Sequence, residues 1–454
     1  MKNQIQNTVF YHIYPLGMTN APFRNDFSSP KSDRLLQLVN QLEQIKDLGV
    51  NAIYIGPLFE SSSHGYDTVD YYHVDRRLGN NQDFAFFTEK CHEKGINVIV
   101  DAVFNHTGRD FFAFKDIQEK GPCSPYSCWY KNINFVQKSP YGDNFTYEGW
   151  AGCMDLVKLD VDNFQVRDHI FKAVEKWIKD FHIDGLRLDA ADVLSPDFLD
   201  ELKKFTSSLK EDFWLMGEVV HGDYNNWVKE GRLDSVTNYQ LYKGMWSSYN
   251  SANMFEVAWS LNEEFGPEGR YKFLKLYNFL DNHDVNRLAS TVEKQEYLFP
   301  LYGMLFTVPG VPSIYYGSEF GLKGSRNADG DFQLRPALPP FTEKLEAYAC
   351  PEIKGEDLKN TIKRFAKIRA SSMALRMGDY KQLAVTNTCL AFKRTFFEEE
   401  IIAAFNQSGK EDFIKINGED GQWEDILNGG KFSQTDLNNL SLPKYWLRIL
   451  RKIK

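Results

Sequence analysis

The stretch HIDGLRLDAADV, His182 to Val193, sets Arg187 and Asp189 two residues apart inside an apolar run. In a β-strand successive side chains point to opposite faces, so both charges share one face while Leu186 and Leu188 share the other. A guanidinium beside a carboxylate favours its ionised form, the state a nucleophile needs. Other apolar runs end in polar groups as well. Asp101, Asn105 and His106 close one, Glu218 a second, and Asp281, Asn282, His283 and Asp284 a third. A helix cap or a surface ion pair would account for any one of these ends, but four together point to a shared site. Asp189, Glu218 and Asp284 would supply three carboxylates from separate strands. Cleaving an acetal through an oxocarbenium-like transition state uses such groups, with a nucleophile and an acid/base about 5 to 5.5 Å apart when configuration is retained. Glu218 lies in WLMGEV, sharing strand parity with Trp214 and Met216. An apolar setting raises a carboxyl's pKa towards neutrality, as a proton donor requires, and such general acid/base action contributes about 10²- to 10⁴-fold.

Positioning these groups takes a scaffold, and the chain carries its pattern. Short β-branched or aromatic runs alternate with amphipathic stretches. The candidate strands are TVFYHIYP near residue 8, NAIYIGP at 51, INVIVDAVFNH at 96, IDGLRLD at 183, FWLMGEV at 213, LDSVTNY at 233, FLKLYNFLDNHD at 273 and VPSIYYG at 311. Between the first two, DRLLQLVNQLEQIKDLG has apolar residues at Leu35, Leu38, Leu42 and Ile45, which predicts one helix over 33–49. Eight strands separated by helices imply parallel pairing and close into a (β/α)8 TIM barrel, an α/β fold whose chemistry sits at the C-terminal strand ends. No GxGxxG follows an early strand, which argues against an open dinucleotide-binding sheet. Residues 108–165 form a Tyr-, Trp-, Gly- and Pro-rich insertion after the third strand. From Gly378 the texture changes to short alternating runs separated by polar turns. The expected organisation is a barrel from 1–107 and 166–378, an inserted B domain at 108–165, and an antiparallel β-sandwich at 379–454.

Composition narrows the function class. The 454 residues are 43% hydrophobic and 25% charged with net charge −9, and no basic run tracks a phosphate backbone, so nucleic acid is not an expected partner. The start, MKNQIQNTVFYHIYPLGM, has no apolar core with a cleavage site, and no 18-residue apolar window exists. The expectation is a cytoplasmic protein without a membrane partner. The six cysteines form no CxxC pair and are expected to be reduced thiols rather than a metal site.

DAVFNH at 101, GLRLDAADV at 185, GEV at 217 and FLDNHD at 279 resemble, in order and spacing, the four signature regions of the α-amylase family, glycoside hydrolase family 13. The resemblance covers essentially the whole chain. It implies retention of configuration, with Asp189 as nucleophile, Glu218 as acid/base and Asp284 as transition-state stabiliser. His106, Arg187 and His283 would line the same sugar subsite. HGYDTVDYYHVDRRLG at 64 is similar to the family too, making Tyr66 the aromatic platform under the sugar, with Asp67 buried beside it. LVKLDVDN at 156 resembles a fifth region of the neopullulanase, cyclomaltodextrinase and maltogenic amylase group, from which Val157 and Asp160 depart. DGDFQLRPALP at 329 resembles the Arg-Pro segment after the eighth strand, making Arg335 a candidate sugar contact.

Two departures shape the expectation. The first strand begins by residue 8, where that group carries an N-terminal sugar-binding domain that mediates dimerisation, so a monomer is compatible with the sequence. AADV follows the nucleophile where calcium-dependent amylases carry a Lys-His pair, so no cofactor is expected to be required and calcium is not indicated, although Asn105 is present. The expected activity is hydrolysis of α-1,4 bonds in maltooligosaccharides, with cleavage of α-1,6 bonds left open. The alternatives are a transglycosylase or sugar isomerase using the same covalent step, and a non-catalytic sugar-binding member, against which all three acids stand.

Overall fold

The computed structural model describes residues 2–328, 330–338, 346–350 and 357–453. Eight strands build the central sheet: β1 (Phe10–Ile13), β2 (Ala52–Ile55), β3 (Asn97–Ala102), β4 (Gly185–Leu188), β5 (Trp214–Gly217), β6 (Ser235–Val236), β7 (Tyr277–Phe279) and β8 (Val311–Tyr315). Their order in the sheet is β6-β5-β4-β3-β2-β1-β8-β7, with parallel registers such as Asp101 opposite Arg187 and Met216 opposite Arg187. Thr237, the residue after β6, bridges in parallel to Tyr277 of β7 and closes the circuit. The fold is therefore a TIM barrel, and each of the eight expected strands is present.

The chain divides into two compact units. One comprises residues 1–3, 13–43 and 52–236, the other residues 4–12, 44–51 and 237–454. In the first, the helix Phe164–Phe181 shows how sequence sets local structure. Val166, Ile170, Ala173, Val174, Trp177, Ile178 and Phe181 recur at helical spacing and are buried, and the Asn163 side chain accepts from Gln165 N–H as its cap. The helix ends at His182, whose φ of 57° is left-handed and turns the chain into β4. Gly185 opens that strand because a Cβ there would lie 2.4 Å from the Trp214 carbonyl oxygen of β5. Trp177 stacks on Phe59 with ring centroids 4.0 Å apart and donates its indole N–H to Tyr71 O at 2.8 Å. The 108–165 insertion is more regular than the sequence suggested. It holds a helix, Phe112–Lys120, and contributes to a three-stranded sheet of His106–Gly108, Cys153–Lys158 and Gly149–Trp150.

The single helix expected over 33–49 is instead two, Arg34–Val39 and Leu42–Asp47. Asn40 N–H closes a tighter turn on Gln37 O, and Gln41 N–H one on Leu38 O, which interrupts the α-helical ladder.

In the second unit the helix Leu298–Thr307 is buried on every side, as its uninterrupted apolar sequence requires. From Asp379 a six-stranded antiparallel sheet faces a two-stranded one, Asp412–Ile414 with Leu440–Leu442. Cys389, Ile402, Ile414, Trp423, Leu440 and Leu450 pack between them in a sandwich core. No helix among the described residues is long and apolar enough to cross a membrane, and all six cysteines are free.

Candidate active site

In the first unit the site grows out of the C-terminal ends of β3, β4 and β5. The register that sets Asp101 opposite Arg187 brings the carboxylate to the guanidinium: Arg187 Nη1 donates to Asp101 Oδ1 at 2.8 Å and to Asp189 Oδ1 at 2.9 Å. Its other terminal nitrogen, Nη2, lies 2.9 Å from Glu218 Oε2. One buried arginine thus touches three carboxylates. Burial opposes its charge, but Asp101 and Glu218 outweigh that and hold its pKa well above the usual guanidinium value. Asp101 is anchored from its far side, where Oδ2 accepts from Tyr54 Oη at 2.7 Å and Tyr66 Oη at 3.0 Å.

The apolar surroundings expected for Glu218 need correcting. Trp214 and Met216 are fully buried in β5, yet the Glu218 carboxylate itself meets Arg187 and accepts from Ala190 N–H at 3.1 Å. Ala190 adopts a left-handed conformation, φ 45° and ψ 44°, unusual for a residue with a Cβ and costing about 1 to 2 kcal/mol. That turn aims the amide following the Asp189 peptide at Glu218. Gly217 precedes Glu218 because a Cβ there would meet Leu233 Cδ1 at 2.5 Å and Ala191 Cβ at 2.8 Å.

His106 stands at the start of the short strand after β3, with Nε2 3.9 Å from Asp189 Oδ2. Burial, and then the charge of His64, push its pKa down to about 3, so the contact is made by a neutral ring and is not an ion pair. Asn105 Nδ2 donates to His106 Nδ1 at 3.2 Å, which places the ring proton on Nε2. Among the described residues that buried Nε2 has no hydrogen-bond partner. Asp67 is buried beside Tyr66, accepting from Ser63 Oγ at 2.6 Å and Gly65 N–H at 3.2 Å.

In the second unit the turn after β7 carries His283 and Asp284. Asn282 Oδ1 accepts from Asp284 N–H at 2.8 Å and Val285 N–H at 3.1 Å, a local turn that fixes the backbone of the acid. His283 Nε2 lies 2.9 Å from Asp284 Oδ2, and its ring meets His12 of β1 edge-on with centroids 5.1 Å apart. Arg335, expected as a sugar contact, has protein partners. Its Nη2 donates to Asp284 Oδ1 at 3.1 Å and its Nε to His283 O at 3.0 Å. Of the segment that contains it, Asp329 and Pro339 lie outside the described residues.

The structure thus gathers Tyr66, His106, Arg187, Asp189 and Glu218 around Asp101 in one unit, and His283, Asp284 and Arg335 in a cluster of the other. Sequence reasoning passes over Tyr54, His12 and Trp150, the last lying 5.8 Å from His106 between ring centroids. Strand parity alone could flag Tyr54 and His12; nothing local marks Trp150. Among the described residues no three His, Cys, Asp or Glu side chains cluster as metal ligands.

Comparison with known proteins finds matches over most of the chain. The family described as alpha amylase, catalytic domain, matches residues 33–371. The cyclomaltodextrinase of Thermoanaerobacter pseudethanolicus is 31% identical over 436 residues, 92% of this chain and 73% of that protein. Among solved structures, a cyclomaltodextrinase matches with a TM-score of 0.85 at 26% identity, covering 100% of this chain and 79% of its own. The cyclic alpha-maltosyl-(1→6)-maltose hydrolase from Arthrobacter globiformis matches with a TM-score of 0.81 at 25% identity, covering 99% of this chain and 100% of its own.

Proposed function

The chain belongs to the α-amylase family of glycoside hydrolases, and from that premise we propose that it cleaves α-1,4 glucosidic bonds of maltooligosaccharides, and α-1,6 bonds in addition, with retention of configuration. The observation that carries the reading is the Arg187 fork, whose two terminal nitrogens hold Asp189 and Glu218 at 2.9 Å each. Carboxylates bound to one guanidinium stay close together, which supports a covalent displacement, needing about 5 to 5.5 Å, over an inverting one, needing about 6.5 to 9.5 Å.

In this reading Glu218 donates a proton to the glycosidic oxygen while Asp189 attacks the anomeric carbon. The C–O bond breaks, the leaving sugar keeps the proton, and a glycosyl ester forms on Asp189. Glu218, now ionised, takes a proton from water, whose oxygen attacks the same carbon and releases Asp189. Asp284, held by Arg335 and His283, would stabilise the positive charge of the transition state. His106 Nε2–H would donate to a sugar hydroxyl, and Tyr66 would stack on the ring. These steps use side chains and water alone. The names of the three relatives, two cyclomaltodextrinases and a cyclic alpha-maltosyl-(1→6)-maltose hydrolase, support the substrate class.

The test is hydrolysis of maltotriose, maltoheptaose, β-cyclodextrin and pullulan by purified protein beside Asp189→Asn. Release of α-anomeric products that stops in the variant is expected. Silence on all four substrates, or β-anomeric products, would refute the reading.

A further inference from the structure

Beside the N-terminal end of β1 the second unit holds a cavity of about 180 Å³. Its polar lining is Asn7, Lys46, Asn51, Arg369 and Arg376, with no carboxylate among the lining residues. At ~30 Å³ per water it has room for about six waters, or for a small solvated anion.

Three cations share this space, and among the described residues none is paired with an acid. Arg369, 2% exposed, gives its hydrogen bonds to the carbonyl oxygens of Phe306, Val308, Leu375 and Gly310. Arg376 donates to Asn7 Oδ1, Ser372 O and Met373 Sδ. The ammonium group of half-buried Lys46 makes no hydrogen bond or ion pair among the described residues, its carbonyl oxygen accepting from Gly49 N–H at 2.9 Å. The neighbouring Asp47 is engaged by Lys363 at 2.6 Å. Burial, then the charge of Arg376, push the Arg369 guanidinium down to about 9. Burial, then the charge of Arg369, push the Arg394 guanidinium down as well. Asn51 fixes the wall, its Oδ1 accepting from Val9 N–H at 2.8 Å and its Nδ2 donating to Asn7 O at 3.0 Å.

Three uncompensated cations around one cavity, in a chain of net charge −9, stabilise one kind of guest. We propose that this cavity binds a phosphate-type oxyanion, either free phosphate or the phosphate group of a phosphorylated sugar. The anion would supply the charge that Arg369, Arg376 and Lys46 lack, and guanidinium forks and carboxamide N–H groups match its oxygens.

Calorimetric titration with sodium phosphate and with glucose 6-phosphate, each against sodium chloride at equal ionic strength, tests this. Saturable binding is expected, weakened about tenfold or more in Arg376→Gln and in Lys46→Gln, the scale of one charge-assisted hydrogen bond. Lys46→Gln alters a half-buried position of a short helix and keeps the test open should Arg376→Gln misfold. Tighter binding of glucose 6-phosphate identifies the sugar phosphate, and equal or tighter binding of phosphate identifies the free ion. The proposal is overturned by the absence of saturable heat up to about 20 mM of either probe, roughly twentyfold above a millimolar Kd. An equal response to chloride, or unchanged affinity in the folded variants, overturns it as well.

Discussion

Glu264 offers a quantitative test of how the barrel is closed. It sits near the end of the helix Met254–Phe265 with 1% exposure, and its Oε2 accepts from Asn238 Nδ2 at 2.7 Å. Among the described residues its Oε1 has no partner. Asn238 joins the two sides of the closure: its N–H donates to Tyr277 O at 2.9 Å, its Nδ2 also donates to Asn278 Oδ1 at 3.0 Å, and its Oδ1 caps Leu241 N–H at 3.1 Å. Burial pushes the Glu264 carboxyl up from 4.5 to about 8, against the lowering effect of the Asn238 bond, and no charged group contributes. The folded chain therefore holds a proton that the unfolded chain releases above pH 4.5. The native state binds more protons across this window, so stability must fall as pH rises. The contribution is fully present below about pH 4.5 and is lost as pH climbs through about 8. At about 1.4 kcal/mol per pH unit, the whole window is worth about 5 kcal/mol. Glu264→Gln keeps an acceptor for Asn238 and cannot ionise. Urea unfolding of both proteins, followed by tryptophan fluorescence at pH 5, 6, 7 and 8, reads the difference directly. The variant is expected to gain on the wild type by about 1.4 kcal/mol per pH unit, about 4 kcal/mol from pH 5 to 8. Every other titrating group, including the buried Asp281 and Glu319, cancels in the comparison. Parallel curves separated by a constant offset would show that Glu264 is ionised in the fold, and the reasoning would fail.

Two further substitutions probe the site. Arg187→Lys replaces a fork that serves Asp101, Asp189 and Glu218 with one point charge. The loss of two charge-assisted bonds at ~1.5 to 3 kcal/mol each predicts a fall in kcat/KM on maltotriose of about 10²-fold or more, and a value within fivefold of wild type would contradict it. Asp281 Oδ2 accepts from Leu288 N–H at 2.9 Å and Ser318 Oγ at 2.8 Å, anchoring the segment just after Asp284. Asp281→Asn buries two extra N–H donors there. It is expected to cost about 1 to 3 kcal/mol of stability by denaturant titration and to lower kcat more than it raises KM.

The eight strands, their order and the side chains at their ends were legible in the sequence. Alternation is a local property, and parity alone puts Arg187 and Asp189 on one face. The periodicity over 33–49 reads as one helix because the interruption at Asn40 depends on which carbonyl an amide reaches, and apolar spacing does not encode that. Parity likewise gives Glu218 its apolar neighbours Trp214 and Met216 but not the guanidinium and the left-handed Ala190 that meet its carboxylate. Only the tertiary structure decided that Arg187 serves three acids, that Arg335 holds Asp284, and that Glu264 of a polar-looking NEEFG stretch is fully buried. The cavity of Asn7, Lys46, Asn51, Arg369 and Arg376 draws on three distant segments. Sequence pattern fixes which way a side chain faces along its own strand or helix. Distances between segments, and the charge that accumulates where they meet, are set by packing, which no local window contains.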